Sequence, residues 1–182
     1  KAVTLTVLER FSSISDCSVE ITIGQALLKG RKMDRLVRQM TELGMVALIP
    51  VIARRSVPKP KRDRWLTKKN RWKAIAREAL KQCGRSQSLC LEPPASFEEV
   101  LDKSDTYDLR IIFHHDRTLT NAEVKLSRRE PLSRVLALVG PEGGFAPDEV
   151  QLAMRCGFVC VSLGPRILKA DTAVVAVCAI LQ

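Results

Sequence analysis

Aromatic side chains are scarce in this chain of 182 residues, where Phe, Trp and Tyr together make up 4% of the sequence. Proteins that bind single-stranded nucleic acid without sequence preference stack successive bases on such rings, so the scarcity argues against that mode of recognition. The sequence also has no run near the ~18 consecutive apolar residues that a membrane-spanning helix needs. We therefore expect no membrane among the partners of this protein.

Metal-binding patterns are also missing. The six cysteines include no C-x-x-C pair, and the two histidines, His114 and His115, are adjacent. Adjacent residues of a strand point to opposite faces, so these imidazoles would not share a metal ion. We predict no metal site, and we interpret the cysteines as small buried apolar residues of a reducing compartment.

Positive charge is in excess, and it is concentrated in the first half of the chain. The net charge is +10, and counting along the sequence gives 20 basic and 7 acidic residues in 1–90 against 10 and 13 in 91–182. The segment from Arg54 to Arg85 alone holds 13 basic and 2 acidic residues. Such a field attracts polyanions, although a basic run can also be no more than a solvated face.

The spacing of apolar residues predicts one α/β domain with a mainly parallel sheet. Strands and helices alternate from Met33 onward, which is the pattern of such folds. The predicted strands cover 3–8, 19–23 with an extension over 25–28, 46–52, 109–113, 135–139 and 158–163. The predicted helices cover 33–43, 65–84, 147–155 and 170–182, and a short helix follows a capping box at Ser96 and Glu99.

Two glycine-bearing loops each follow a buried strand and precede a helix. The first reads Gly-Pro-Glu-Gly-Gly-Phe over 140–145, and the second reads Leu-Gly-Pro-Arg-Ile-Leu-Lys over 163–169. Neither is a dinucleotide fingerprint or a P-loop. One such loop is often only a tight turn. Two at the carboxyl ends of parallel strands predict a ligand site, because glycines let backbone groups approach a ligand.

These motifs resemble those of the RsmE family, the uridine-N3 methyltransferases of small-subunit ribosomal RNA. The resemblance runs from about Gln25 to the C-terminus. It is carried by the segments 26–30, 41–44, 72–85 with Glu78, Gln82 and Arg85, 138–145 and 163–168. The last two segments in this order are highly specific.

The resemblance implies the SPOUT fold, an α/β fold with helices on both faces of the sheet and a deep trefoil knot near the C-terminus. It divides the chain into a methyltransferase domain over 21–182 and, over 1–20, a remnant of a PUA-like β-barrel that binds RNA. The sequence begins at Lys1 and not at a methionine, so we expect this chain to be part of a longer protein with further N-terminal sequence. The resemblance also implies a homodimer formed through the knot, with the final apolar helix contributing.

The implied cofactor is S-adenosyl-L-methionine, with its adenine held by backbone groups of the two loops. The implied cofactor-binding residues are His114, Val139, Gly140, Pro141, Glu142, Gly143, Gly144, Leu163, Gly164, Arg166, Ile167, Leu168 and Ala173. Arg166 is the first candidate to stabilise charge on the uracil, and Glu142 is the second catalytic candidate. The implied RNA contacts are Arg31, Arg71, Lys73, Arg77, Lys81 and Arg85.

Alternatives remain open at several of these positions. Arg166 could form a structural ion pair with Glu142 or Asp171, and Asp171 could act by favouring a helix N-terminus. Lys169 stands where the family usually has arginine, and it cannot reproduce a bidentate contact. The chain could also be a sibling methyltransferase for another base or a ribose hydroxyl, or a non-catalytic assembly factor. The expected compartment is the cytoplasm of a bacterium or an organelle of a eukaryote.

Overall fold

A computed structural model describes residues 19–58, 62–115 and 133–182, with isolated positions at 3, 4, 6, 8, 9 and 118. These ranges cover most of the predicted methyltransferase domain over 21–182. The predicted strand over 3–8 lies outside the continuous ranges. So do Cys17, the predicted barrel remnant except for residues 19 and 20, and most of residues 116–133.

The described residues form seven strands and five α-helices. The strands are β1 (Glu20–Ala26), β2 (Ala47–Ile52), β3 (Cys90–Leu91), β4 (Ala95–Ser96), β5 (Leu109–Phe113), β6 (Arg134–Val139) and β7 (Val159–Val161). The helices are α1 (Lys32–Glu42), α2 (Arg62–Cys83), α3 (Phe97–Asp102), α4 (Pro147–Arg155) and α5 (Ala170–Leu181), with a 3-10 turn at Ser104–Thr106.

The strands form one parallel sheet, as the sequence predicts. Their order is β3-β2-β1-β6-β5-β7, with β4 pairing further along β2. β1 lies in the middle, paired with β2 on one side and β6 on the other. Because the strands are parallel, the turns that follow β5, β6 and β7 all emerge at the same edge. β5 lies between β6 and β7, so its end separates the two glycine loops.

Two apolar cores cover the two faces of this sheet. Along β6, Val135, Ala137 and Val139 belong to the core shared with α1, α2 and α5. The alternate residues Leu136 and Leu138 belong to the core shared with α3 and α4. This two-residue alternation is what a strand buried on both sides requires. The prediction of helices on both faces is confirmed.

The predicted element bounds agree closely with the structure. Helix α4 begins and ends at the predicted residues, and the Ser96–Glu99 capping box is present at α3. Gly44 ends α1 with a φ of 84°, a conformation that favours glycine. Strands β3 and β4 were not predicted, because two-residue strands are too short to show a periodicity.

The interpretation of the cysteines is only partly correct. Cys160 and Cys178 are fully buried, and burial raises the pKa of Cys178 to about 12. Cys90 is exposed, so reading it as a buried apolar residue is wrong. Burial of its sulfur and a hydrogen bond to Glu92 still raise the pKa of the Cys90 thiol.

Two residues that the resemblance assigns to RNA contacts also hold helices together. Arg71 pairs with Asp34, whose other oxygen accepts a hydrogen bond from the Trp72 indole at 3.0 Å. These bonds join α2 to α1. The Arg85 guanidinium donates to the carbonyl of Thr41 at 2.7 Å and to those of Met45 and Gly44 at 3.3 Å each. Arg85 thereby satisfies carbonyls at the C-terminal end of α1.

Candidate active site

The two glycine loops line one cavity at the carboxyl edge of the sheet. Its volume is about 280 Å³, and every residue of the predicted cofactor set lines it. Four further lining residues were not predicted, namely Phe113, His115, Ser162 and Ala170. Each directly adjoins a predicted segment, so extending those segments by one or two residues would have found them.

The first loop is shaped by contacts within its own backbone. A Cβ atom on Gly140 would lie 2.9 Å from the Phe145 nitrogen and 3.1 Å from the Gly144 Cα. Gly144 has a φ of 67°, and its N–H donates to the Pro141 carbonyl at 2.8 Å. Phe145 is fully buried against Phe97 and closes the loop. A side chain at Gly140 would therefore force the loop open.

The second loop has a different internal support. The Ser162 hydroxyl donates to the Gly164 carbonyl at 3.1 Å and accepts from the Gly164 N–H at 3.3 Å. Gly164 has a φ of 109°, which again favours glycine. Arg166 and Ile167 are exposed, and Ile167 is 79% accessible. This wall of the cavity therefore presents both an apolar and a cationic side chain to solvent.

The paired histidines differ from their predicted arrangement. β5 ends at Phe113, so His114 and His115 follow the strand and do not alternate across it. Their ring centroids are 4.5 Å apart, and the prediction that they point to opposite faces is wrong. His114 is buried, and its backbone N–H donates to the Val161 carbonyl at 2.9 Å. The His115 ring lies beside Gly144 of the first loop.

Glu142 is the most constrained charged group of the cavity. Its Oε1 accepts hydrogen bonds from the Lys32 ammonium at 2.8 Å and from the Lys29 N–H at 3.2 Å. Burial alone would raise the pKa of Glu142. The Lys32 hydrogen bond, the backbone hydrogen bonds and the Lys32 charge outweigh it and lower that pKa. Glu142 is thus an anion bound by the protein.

The two carboxylates proposed as ion-pair partners of Arg166 are engaged elsewhere. Glu142 pairs with Lys32, and the nearest cation to Asp171 is Arg35, at 3.9 Å. Among the described residues, neither carboxylate forms an ion pair with Arg166. The structure therefore does not show the structural ion pair considered for Arg166, whose exposed side chain lines the cavity.

Two arginines after β2 contact the first loop and α4, and sequence reasoning missed both. Arg55 donates to the Gly143 carbonyl at 2.9 Å, and its side chain packs over the Gly143 Cα. The Arg54 N–H donates to Glu149 at 2.8 Å, and its guanidinium pairs with Asp148. Both arginines belong to the basic run, which gave no signal that distinguished them from its other members.

Besides Arg71, which is paired with Asp34, four of the predicted RNA contacts are exposed. They are Arg31, at the start of α1, and Lys73, Arg77 and Lys81 on α2. Lys81 pairs with Glu78 at 3.0 Å across an exposed helical turn. Such surface pairs contribute little to stability, so Lys81 can exchange this partner for a phosphate.

Metal and membrane features are absent from the part of the chain that the structure describes. There, no group of three or more His, Cys, Asp or Glu side chains is arranged to hold a metal ion. None of the helices described is long and apolar enough to cross a bilayer.

The parallel sheet and the cavity at its carboxyl edge define an α/β protein with a built small-molecule site. Residues 15–182 match the family model described as an RNA methyltransferase domain. The chain belongs to this family of RNA methyltransferase domains.

Several named proteins are similar to this chain. A ribosomal RNA small subunit methyltransferase E of Synechocystis is 34% identical over 173 residues, which are 93% of this chain and 55% of that protein. The enzyme of that name from Neisseria gonorrhoeae, solved with S-adenosyl methionine, has a TM-score of 0.79 and 32% identity over 90% of this chain and 65% of its own. A Legionella pneumophila methyltransferase solved with the same cofactor has a TM-score of 0.80 and 31% identity over 91% and 66%. The chain therefore spans less than two thirds of these proteins.

Proposed function

We propose that this chain is the catalytic domain of an S-adenosylmethionine-dependent methyltransferase that acts on N3 of a uridine in small-subunit ribosomal RNA. The observation that carries the proposal is the single cavity formed by the two glycine loops. Its support is the family membership and the names of the similar proteins, which include two solved with this cofactor.

The lining of the cavity suits an adenosyl group. Leu163, Ile167, Leu168 and Ala173 supply apolar surface on one wall, and the glycines of both loops leave backbone donors and acceptors accessible. Adenine needs both, because its faces are apolar and its edge forms hydrogen bonds. The sulfonium methyl group, when the cofactor is bound, supplies the electrophile for the reaction.

The residues of the chain have two tasks in this reaction. The uridine must be positioned in line with the methyl group, and the negative charge that its oxygens gain as N3 loses its proton must be stabilised. Arg166 lies in the cavity wall and takes the second task. Glu142 accepts hydrogen bonds from Lys32 and from the Lys29 N–H, so we assign it the role of holding the loop. Its catalytic role stays a prediction.

Helix α5 supports the proposed homodimer. It is apolar around its circumference, yet it is only partly covered, and 58% of Ile180 is accessible. A helix that is apolar all round is normally buried. We propose that a second copy covers it and that the C-terminal segments are knotted, as the resemblance implies. Size-exclusion chromatography with light scattering of wild type and Ile180→Glu tests the dimer.

The exposed cations of α2 and α1 form the proposed RNA surface. Lys73, Arg77, Lys81, Arg31 and the exposed Arg71 belong to it, whereas we assign Arg85 to the contact between α2 and α1. Neutralising phosphates releases counterions, so affinity for ribosomal RNA should fall steeply with added salt. A protein of this function works where small ribosomal subunits are, in a bacterial cytoplasm or an organelle.

Nucleoside analysis tests the proposal directly. The protein is incubated with small-subunit ribosomal RNA and methyl-labelled cofactor, and the digested RNA is examined by mass spectrometry. Labelled N3-methyluridine supports the proposal. A labelled ribose or another labelled base would identify a sibling methyltransferase. A protein that does not bind the cofactor in calorimetry would be a non-catalytic RNA-binding factor.

A further inference from the structure

The first glycine loop is fastened from outside by turns that follow two other strands. From the β1–α1 connection, Lys32 and the Lys29 N–H both donate to Glu142. From the β2–α2 connection, Arg55 donates to the Gly143 carbonyl at 2.9 Å. At the base of the loop, the fully buried Gln25 of β1 donates to the Gly140 carbonyl at 3.2 Å.

The second loop has no comparable attachment among the described residues. The side-chain hydrogen bonds identified there come from Ser162, which belongs to the same turn. The two walls of the cavity therefore differ among the described residues: side chains from neighbouring strand ends tie the first loop, whereas the side-chain hydrogen bonds of the second come from Ser162. A ligand binding between them meets one preformed surface and one adaptable surface.

The strongest of these ties is the ion pair between Lys32 and Glu142. Its side chains are 32% and 29% accessible, so solvent screens the pair only in part. The lowered pKa of Glu142 shows that the pair favours the ionised carboxylate. Fixing a loop before a ligand arrives removes an entropic cost from binding. A half-buried charged hydrogen bond is strong enough to do so.

We propose that Lys32 and Glu142, with Arg55 as a second hold on Gly143, form a clamp that keeps the first loop in the conformation that binds the cofactor. Lys32, Glu142 and Arg55 are then positioning residues that act on cofactor affinity through the loop backbone. The proposal rests on the proposed function for the identity of the ligand. The clamp itself is a property of the free protein and is measured without ligand.

A double-mutant cycle tests the clamp. The variants are Lys32→Met, which keeps the length of the side chain but removes its charge, Glu142→Gln, and the two combined. Binding of S-adenosylmethionine is measured by calorimetry, and stability is measured by thermal unfolding. We expect Lys32→Met to weaken binding about 10-fold, as loss of a charged hydrogen bond does. Glu142→Gln should weaken it less, because the amide oxygen still accepts from Lys29.

The combined variant should bind no more weakly than Lys32→Met, since both changes remove the same pair. The reversed pair, Lys32→Glu with Glu142→Lys, should recover part of the affinity. A merely structural pair would lower the unfolding temperature while leaving the cofactor Kd unchanged, and that result would overturn the proposal. Two matched controls lie at the amino-terminal side of the sheet: Lys103→Met, and Asp105→Asn, which breaks the Arg110 pair.

Hydrogen exchange of the free protein separates this proposal from the proposed function. Amides of residues 140–146 should exchange faster in Lys32→Met and in Arg55→Ala than in wild type, with amides of β6 unchanged. Unaltered exchange of the loop in both variants would refute the clamp. Faster exchange in these variants of a protein whose wild type does not bind S-adenosylmethionine would keep the clamp and remove the proposed ligand.

Discussion

Removing the Arg85 side chain should destabilise the whole domain, because Arg85 joins the end of α2 to the end of α1. Its guanidinium donates to the Thr41 carbonyl at 2.7 Å and to two further carbonyls at 3.3 Å each. The short bond counts fully and the two longer ones only in part. One charged hydrogen bond contributes about 1.5–3 kcal/mol, and a cation at a helix C-terminus adds about 0.3–1 kcal/mol.

We therefore expect Arg85→Ala to lower the free energy of unfolding by about 2–3 kcal/mol. For a domain of this size, that loss lowers the unfolding temperature by about 4–12 °C. Urea unfolding followed by circular dichroism measures the free energy, and calorimetry measures the temperature. Arg85→Lys should recover less than half of the loss, because one ammonium cannot reach three carbonyls in a fork.

Arg77→Ala is the matched control, since Arg77 is an exposed arginine on α2, the helix that precedes Arg85, and has no ion pair among the described residues. It should change stability by less than about 0.5 kcal/mol. The reasoning fails if Arg85→Ala unfolds like wild type and loses only RNA affinity. Arg85 would then be an RNA contact, as the family resemblance alone implied.

Three further predictions concern the cavity and the thiols. Gly140→Ala should lower the free energy of unfolding in urea by about 1–3 kcal/mol and weaken cofactor binding, because its Cβ meets backbone atoms. Gly143→Ala should be tolerated, because its Cβ meets only the Arg55 side chain at 3.5 Å. Equal losses of stability in the two variants would contradict this reasoning. The pKa of Glu142 is lowered, so its contribution is complete above its ordinary value of 4.5 and is lost as pH falls through the lowered pKa. Because His114 and His115 also line the cavity, the quantity to follow by calorimetry is the difference in cofactor affinity between wild type and Glu142→Gln. This difference should be constant from neutral pH to about pH 4.5, and a change in it near pH 6 would refute the assignment. Peptide mapping after alkylation at pH 8 should find Cys90 modified slowly, at a rate that rises with pH, because the pKa of its thiol is raised. Cys178 should remain unmodified, because its thiol is buried and has a pKa of about 12. Rapid modification of native Cys178 would contradict this and would show that α5 opens.

The sequence predicted the parts of this molecule that depend on local pattern. The glycine loops, the capping box and the helix bounds each follow from neighbouring residues, and the structure confirms them. The clamp could not be predicted in this way, because Lys32 and Glu142 are 110 positions apart. Their meeting depends on β1 and β6 being neighbours, and the order of strands in a sheet leaves no periodic trace in a sequence.

The basic segment shows the same limit. The basic run includes Arg55, Arg71, Lys73 and Arg85. From composition alone, all four are predicted to attract polyanions. In the fold, Arg55 contacts a glycine loop, Arg71 and Arg85 join helices, and Lys73 faces solvent. The roles differ because Arg55, Arg71 and Arg85 each donate to a carbonyl or carboxylate oxygen of another element of the fold.

The central position of β1 in the sheet has a consequence for the synthesis of this protein on the ribosome. Among the described strands β1 is the first to be made, yet one of its edges pairs there with β6, which begins at Arg134. Until more than a hundred further residues have been synthesised, that edge offers unpaired backbone groups to any other extended chain. The nascent domain is therefore most open to mispairing in its middle, and assistance from a chaperone would be most valuable before β6 leaves the exit tunnel.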